Sequence, residues 1–80
     1  MELYWVSLII QDTENSKPWL SAISSGCVSL EEAMETIKRE RDNYRVLCAW
    51  IDIFDENNYK STVFHECYVD AIGNVDRLWN

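Results

Sequence analysis

Three groups of side chains in this 80-residue chain could do chemistry. They are the single histidine, the three cysteines and a set of carboxylates near one turn. His65 stands two residues before Cys67, and Cys48 falls on the preceding predicted strand. A thiol beside an imidazole is the raw material of a nucleophile and its base. Spacing of i and i+2 does not by itself supply that geometry, so His65 is read as a structural or interface histidine. Cys27, Cys48 and Cys67 are odd in number and lack any CxxC spacing, which predicts neither a zinc cluster nor a disulfide framework. They are read as small buried hydrophobes in a reducing compartment. Cys48 and Cys67 could still meet across a hairpin and pair on oxidation. Asp52, Asp55, Glu56, Glu66 and Asp70 are the grouped acids. Paired carboxylates can hold a divalent cation or act in acid–base catalysis. No EF-hand pattern is present, and acids around a hairpin turn are ordinary surface. The sequence therefore predicts no catalytic residue, no metal, no cofactor and no enzyme.

Charge narrows the partners. Fourteen acidic residues outnumber seven basic ones, giving a formal charge of -7. Phosphate contacts supply most of the free energy of nucleic-acid binding, so direct binding of this kind is not expected. The basic cluster Lys38, Arg39, Arg41 and Arg45 is local and interrupted by Glu40 and Asp42. Ser24-Ser25-Gly26 lacks the phosphate-loop pattern and precedes an acidic helix start, which would repel phosphate. No window is long and apolar enough to span a membrane, and residues 3–10 lack the basic start and cleavage site of a signal peptide. A cytoplasmic protein is expected.

The elements that must position these groups form one domain, residues 1–80. Residues 2–11 alternate as a strand, with Leu3, Trp5, Ser7 and Ile9 against Tyr4, Val6, Leu8 and Ile10. Both faces are apolar, as in the interior of a sheet. A polar loop through Pro18 follows, then a weaker strand over 19–27, with Gly26 at a bend or bulge. Ser29 and Glu32 fit a capping box, and acids lead and bases end the segment, which predicts a helix over 30–43. Leu30, Ala33, Met34, Ile37, Arg41 by its alkyl stem and Tyr44 form its apolar stripe. Glu35 and Arg39 are spaced to pair.

The period then becomes two-fold. A strand over 46–55 carries Leu47, Ala49, Ile51 and Ile53 on one face and Val46, Cys48, Trp50, Asp52 and Phe54 on the other. A turn and a strand over 60–69 follow. A three-residue loop, Glu56-Asn57-Asn58 with Asn58 left-handed, sets Asp55 opposite Tyr59. That register puts Val63, His65, Cys67 and Val69 on the aliphatic face, and Phe64, Glu66 and Tyr68 beside Trp50 and Phe54. A two-residue loop at Asn57-Asn58 would exchange the faces. The three-residue loop is preferred because it gives the helix a cleaner aliphatic layer.

The fold class is thus α+β, a β-β-α-β-β antiparallel sheet with one helix on one face and a short C-terminal tail. One helix covers one side only. Trp5, Trp50, Phe54, Phe64, Tyr68 and Trp79 are then the expected interface residues, since a patch of this size is seldom left bare. The expected function is non-enzymatic, through protein–protein contacts, with a homodimer packed through the aromatic sheet face as first choice. The alternative is an acidic inhibitor or nucleic-acid mimic that binds a basic partner groove. Its carboxylates would be Glu31, Glu32, Glu35, Asp52, Asp55 and Glu56.

Overall fold

The computed structural model describes residues 1–12 and 16–68, with the backbone alone at 22–25. The elements run β1 (Glu2–Gln11), β2 (Trp19–Cys27), α1 (Leu30–Asn43), β3 (Arg45–Asp55) and β4 (Asn58–Cys67). The α+β class and the β-β-α-β-β order follow the sequence expectation. The strands form one antiparallel sheet in the order β2-β1-β3-β4. The doubly apolar β1 is interior, between β2 and β3, as its composition requires. The expected tail, with Val69, Asp70 and Trp79, lies outside the described residues.

α1 forms where its caps say it should. Ser29 Oγ accepts the Glu32 N–H at 3.2 Å, and Glu32 Oε2 accepts the Val28 N–H at 3.0 Å. The acidic side chain thus reaches back past the cap to satisfy a second backbone donor. At the other end the Tyr44 N–H bonds Glu40 O at 2.8 Å, and extended backbone follows. Arg39 turns to Glu40 at 3.8 Å, not to the expected Glu35. Among the described residues no helix is long and apolar enough to cross a membrane.

The helix lies across β1 and β3 and touches β2. Ala33 and Ile37 press onto Val6, Leu8, Ile10, Ala49 and Ile51, all buried. Thr36 completes the contact by donating to Glu32 O at 3.0 Å and meeting Cys27 Sγ at 3.7 Å. Gly26 adopts φ +59, and a Cβ there would lie 3.2 Å from Leu3 Cδ1. It sits where the β1–β2 pairing slips between Tyr4 and Val6, so this is the expected bulge.

Three local irregularities correct the predicted faces. The β3–β4 turn has two residues, Glu56 (φ 50) and Asn57 (φ 72), with Asp55 opposite Asn58. Two successive left-handed residues match the twist of a tight hairpin, and β4 therefore begins at Asn58 instead of residue 60. Lys60 and Val63 then each stand as an extra residue against β3. After both shifts Ile51 faces Phe64, Trp50 faces His65 and Cys48 faces Cys67. His65 and Cys67 are thus on the Trp50 face, not the aliphatic face, while Phe64 and Tyr68 join the core under the helix. The third irregularity is Leu47, an extra residue between the Ile9–Cys48 and Ile10–Val46 pairs. Val46 consequently packs on the helix side, and Leu47 joins Ile9 and Cys48 on the other.

Gln11 is the one fully buried amide among the described residues. Its Nε2 donates to Ser16 O at 2.7 Å, and its Oε1 accepts from Arg45 Nε at 3.1 Å. This clasp ties the end of β1 to the following loop and to the start of β3. Gln11→Leu is expected to destabilise the fold by about 1–3 kcal/mol, because it removes two hydrogen bonds from a buried position. Ile51→Ala, at a fully buried site, is expected to cost about 2–4 kcal/mol through cavity formation. Chemical denaturation with an unchanged m-value checks both.

Candidate functional site

Two regions bring chemically distinctive side chains together. The first lies on the sheet face away from the helix. Cys48 and Cys67 sit directly opposite each other with Cα atoms 4.2 Å apart, and they form a disulfide. That separation belongs to a non-hydrogen-bonded antiparallel pair, where side chains come closest. The adjoining Tyr68 N–H bonds Leu47 O at 3.0 Å, in keeping with the alternation. The expectation of unpaired buried thiols thus fails for Cys48 and Cys67 and holds for Cys27, which is buried and free. No CxxC spacing announces this pair, because pairing across a hairpin depends on register alone.

His65 completes the cluster. Its Nε2 lies 3.9 Å from Cys67 Sγ. Its ring meets Trp50 edge-on, with centroids 6.0 Å apart. Cys48 is fully buried, Cys67 is half-buried and His65 is exposed, so the cluster has a closed side and an open one. Further along this face the Trp5 and Phe54 rings meet at a tilt of 46° with centroids 5.1 Å apart, and Phe54 meets Tyr59 at 5.9 Å. Trp5, Trp50 and Phe54 therefore share this face. They are half-buried, and Ile9, Leu47 and Cys48 beside them are buried outright. The Trp5 indole N–H is shut off from solvent with no acceptor among the described residues. This face is not the bare aromatic patch that the sequence predicts.

The second region is a groove between α1 and β4, about 420 Å³ in volume. It exists because the helix lies over β1 and β3 and leaves β4 at the edge of its footprint. Met34, Ile37 and Phe64 line it with apolar surface, while Lys38, Arg41, Asp42 and Glu66 bring charges of both signs. Tyr68 closes it, with the Arg41 guanidinium 3.7 Å from its ring centroid. This contact combines cation–π attraction with cover for the ring. Burial pushes the Tyr68 phenol up from its ordinary value of 10.0; Glu66 adds to the rise, and Arg41 opposes it. Phe64 and Tyr68, two expected interface residues, thus belong here and not beside Trp50. Trp79 lies outside the described residues.

The expected acidic surface divides. Glu31, Glu32 and Glu35 are exposed on α1. Asp55 receives the Met1 amine at 3.1 Å, and Asp52 accepts the Thr62 hydroxyl. The register places the helix start and the hairpin turn at one end of the sheet: Cys27 faces Tyr4, and Glu2 faces Asp55. Arg45 faces Gln11 at the opposite end, where Lys38, Arg39 and Arg41 also gather at the helix C-terminus. Acids dominate the hairpin end, and the bases at the other end are interleaved with Glu40 and Asp42.

A raised tyrosine pKa means that the folded state holds the phenolic proton more tightly than the unfolded chain. Its stabilising effect is complete below pH 10 and is lost as pH rises through the folded value. Glu66→Gln is expected to bring the Tyr68 titration down, as seen in phenolate ultraviolet absorbance, since it removes an exposed carboxylate that opposes the phenolate and leaves Arg41 over the ring. Comparison with protein-family models, curated proteins and solved structures finds no match to this chain.

Proposed function

We propose that this is a small acidic, non-enzymatic protein that acts through protein–protein contacts, in the first instance as a homodimer. The observation that carries the reading is the groove between α1 and β4, which no described residue covers, next to a strand edge that has no neighbour among the described residues. Met34 (38% exposed) lines the groove, and Val63 (43%) is exposed on β4. An apolar floor with a charged rim is the usual anatomy of a contact surface. An unpaired strand edge is in addition a template for pairing. This region is a better contact surface than the Trp5–Trp50–Phe54 face, whose rings are already half-buried.

Charge complementarity favours a second copy as the occupant. A two-fold axis beside β4 would run the two copies antiparallel. The acidic end of each, with Glu31, Glu32 and Glu56, would then approach the basic end of the other, with Lys38, Arg41 and Arg45. Pairs of this kind steer association and fix register more than they add affinity. A cytoplasmic location is part of the proposal. There, cellular thiols keep an accessible cysteine pair largely reduced.

A second reading, an acidic inhibitor or nucleic-acid mimic bound to a basic groove, draws support from the same acidic end. It is weaker because Asp52 is taken up by Thr62 on the sheet, and Asp55 by the Met1 amine.

Size exclusion with light scattering over a tenfold concentration range tests the first reading. The expected species has twice the 9.4 kDa chain mass and loosens as salt is raised. Met34→Glu and Val63→Lys are each expected to give monomers with melting temperatures close to the parent's, while Trp50→Ala leaves the dimer intact. A monomer throughout, or a dimer lost only with Trp50→Ala, contradicts the groove as a self-interface.

A further inference from the structure

Beyond contact with other proteins, we infer that Cys48, Cys67 and His65 form a redox-gated binding site for a thiophilic divalent cation of the zinc class. The three side chains project from the same sheet face. Cys67 and His65 are two apart on β4, and Cys48 is directly across from Cys67 on β3. Their ligand atoms all lie within 4.8 Å of one another. Zinc binds cysteine sulfur at about 2.3 Å and histidine nitrogen at about 2.0–2.1 Å in tetrahedral geometry. Two such ligands on one ion therefore stand roughly 3.5–3.8 Å apart, close to the 3.9 Å between Cys67 Sγ and His65 Nε2. Backbone positions need not change, since only the two sulfurs must separate once their bond is broken.

The gate is chemical. In the disulfide each sulfur has spent its donor capacity on the other. A thiol reductant of the glutathione or dithiol class delivers two electrons: two external thiols become one external disulfide, and Cys48 and Cys67 become thiols. A divalent cation then displaces both thiol protons to solvent and takes two thiolates and the neutral imidazole. Two thiolates balance the cation's charge, so the buried Cys48 sulfur is not left as an isolated anion. Three N/S ligands leave a fourth position on the side where His65 is exposed. It is open to water or to a ligand from another molecule, as in sites with three protein ligands. The acidic chain favours accumulation of cations.

The full-length chain, reduced with a phosphine under anaerobic conditions and titrated with Co²⁺, tests the assignment. The expected result is a single equivalent bound, with a thiolate-to-cobalt charge-transfer band and tetrahedral d–d absorption, both abolished by adding Zn²⁺. The oxidised chain should show neither band. His65→Ala, at an exposed position, should weaken Co²⁺ binding by about tenfold or more. Cys27→Ser should leave it unchanged. Absence of the band in the reduced chain overturns the proposal, whether or not that chain keeps its circular dichroism. A band that survives His65→Ala at full affinity, or disappears with Cys27→Ser, overturns this ligand set.

Discussion

The pairing of β4 against β3 is the constraint on which the arrangement of side chains depends. Alternation along a strand makes the face of every residue a matter of parity. The Glu56-Asn57 turn fixes one starting register, and Lys60 and Val63 each advance it by one. With neither extra residue, Cys48 would face His65, and Cys67 would lie further along. With only one, Cys48 would face Glu66. Both are needed to bring Cys48 to Cys67 and Trp50 to His65, and because two shifts restore the parity that the turn sets, Phe64 and Tyr68 stay beneath the helix. Bulges also bend and twist a strand.

A mismatch of widths supplies the other half of the account. One helix covers little more than two strands, and α1 lies on the interior pair, β1 and β3. The helix side of β4 is consequently left as the wall of a groove, and the Arg41–Tyr68 contact closes part of the gap. Capping fixes the polarity of the charges on the helix, since acids favour its N-terminus and bases its C-terminus. The sheet register then aligns that polarity with the hairpin acids. Local helix energetics and sheet register thus place acids toward one end of the domain and a set of bases, interleaved with Glu40 and Asp42, toward the other.

Much of this architecture was legible in the sequence. Ser29 and Glu32 announced the helix start, the change of period after Tyr44 announced β3, and the doubly apolar β1 announced its interior place. What was not legible turned on single residues. Glu56 is a poor advertisement for left-handed backbone, so the sequence favours a loop one residue too long, with Asn58 left-handed. Lys60, Val63 and Leu47 have nothing in their chemistry that marks a bulge, yet each reverses the faces beyond it. The Cys48–Cys67–His65 cluster was hidden for the same reason. Its two cysteines are 19 residues apart across the hairpin, and only the shifted register sets them face to face. Trp5, Trp50 and Phe54 were grouped correctly because β1 and β3 keep a regular register between them until Ile9.

The most direct test of that register is the pattern of nuclear Overhauser effects across the hairpin of the full-length chain. Residues in a non-hydrogen-bonded antiparallel pair bring their α-protons close together. The account predicts a strong cross-peak between the α-protons of Cys48 and Cys67, together with contacts between the Trp50 indole and the His65 imidazole. A strong Trp50–Phe64 contact, with the Cys48 backbone adjacent to Glu66, would contradict the two-bulge register. The cluster and the floor of the groove would fall with it.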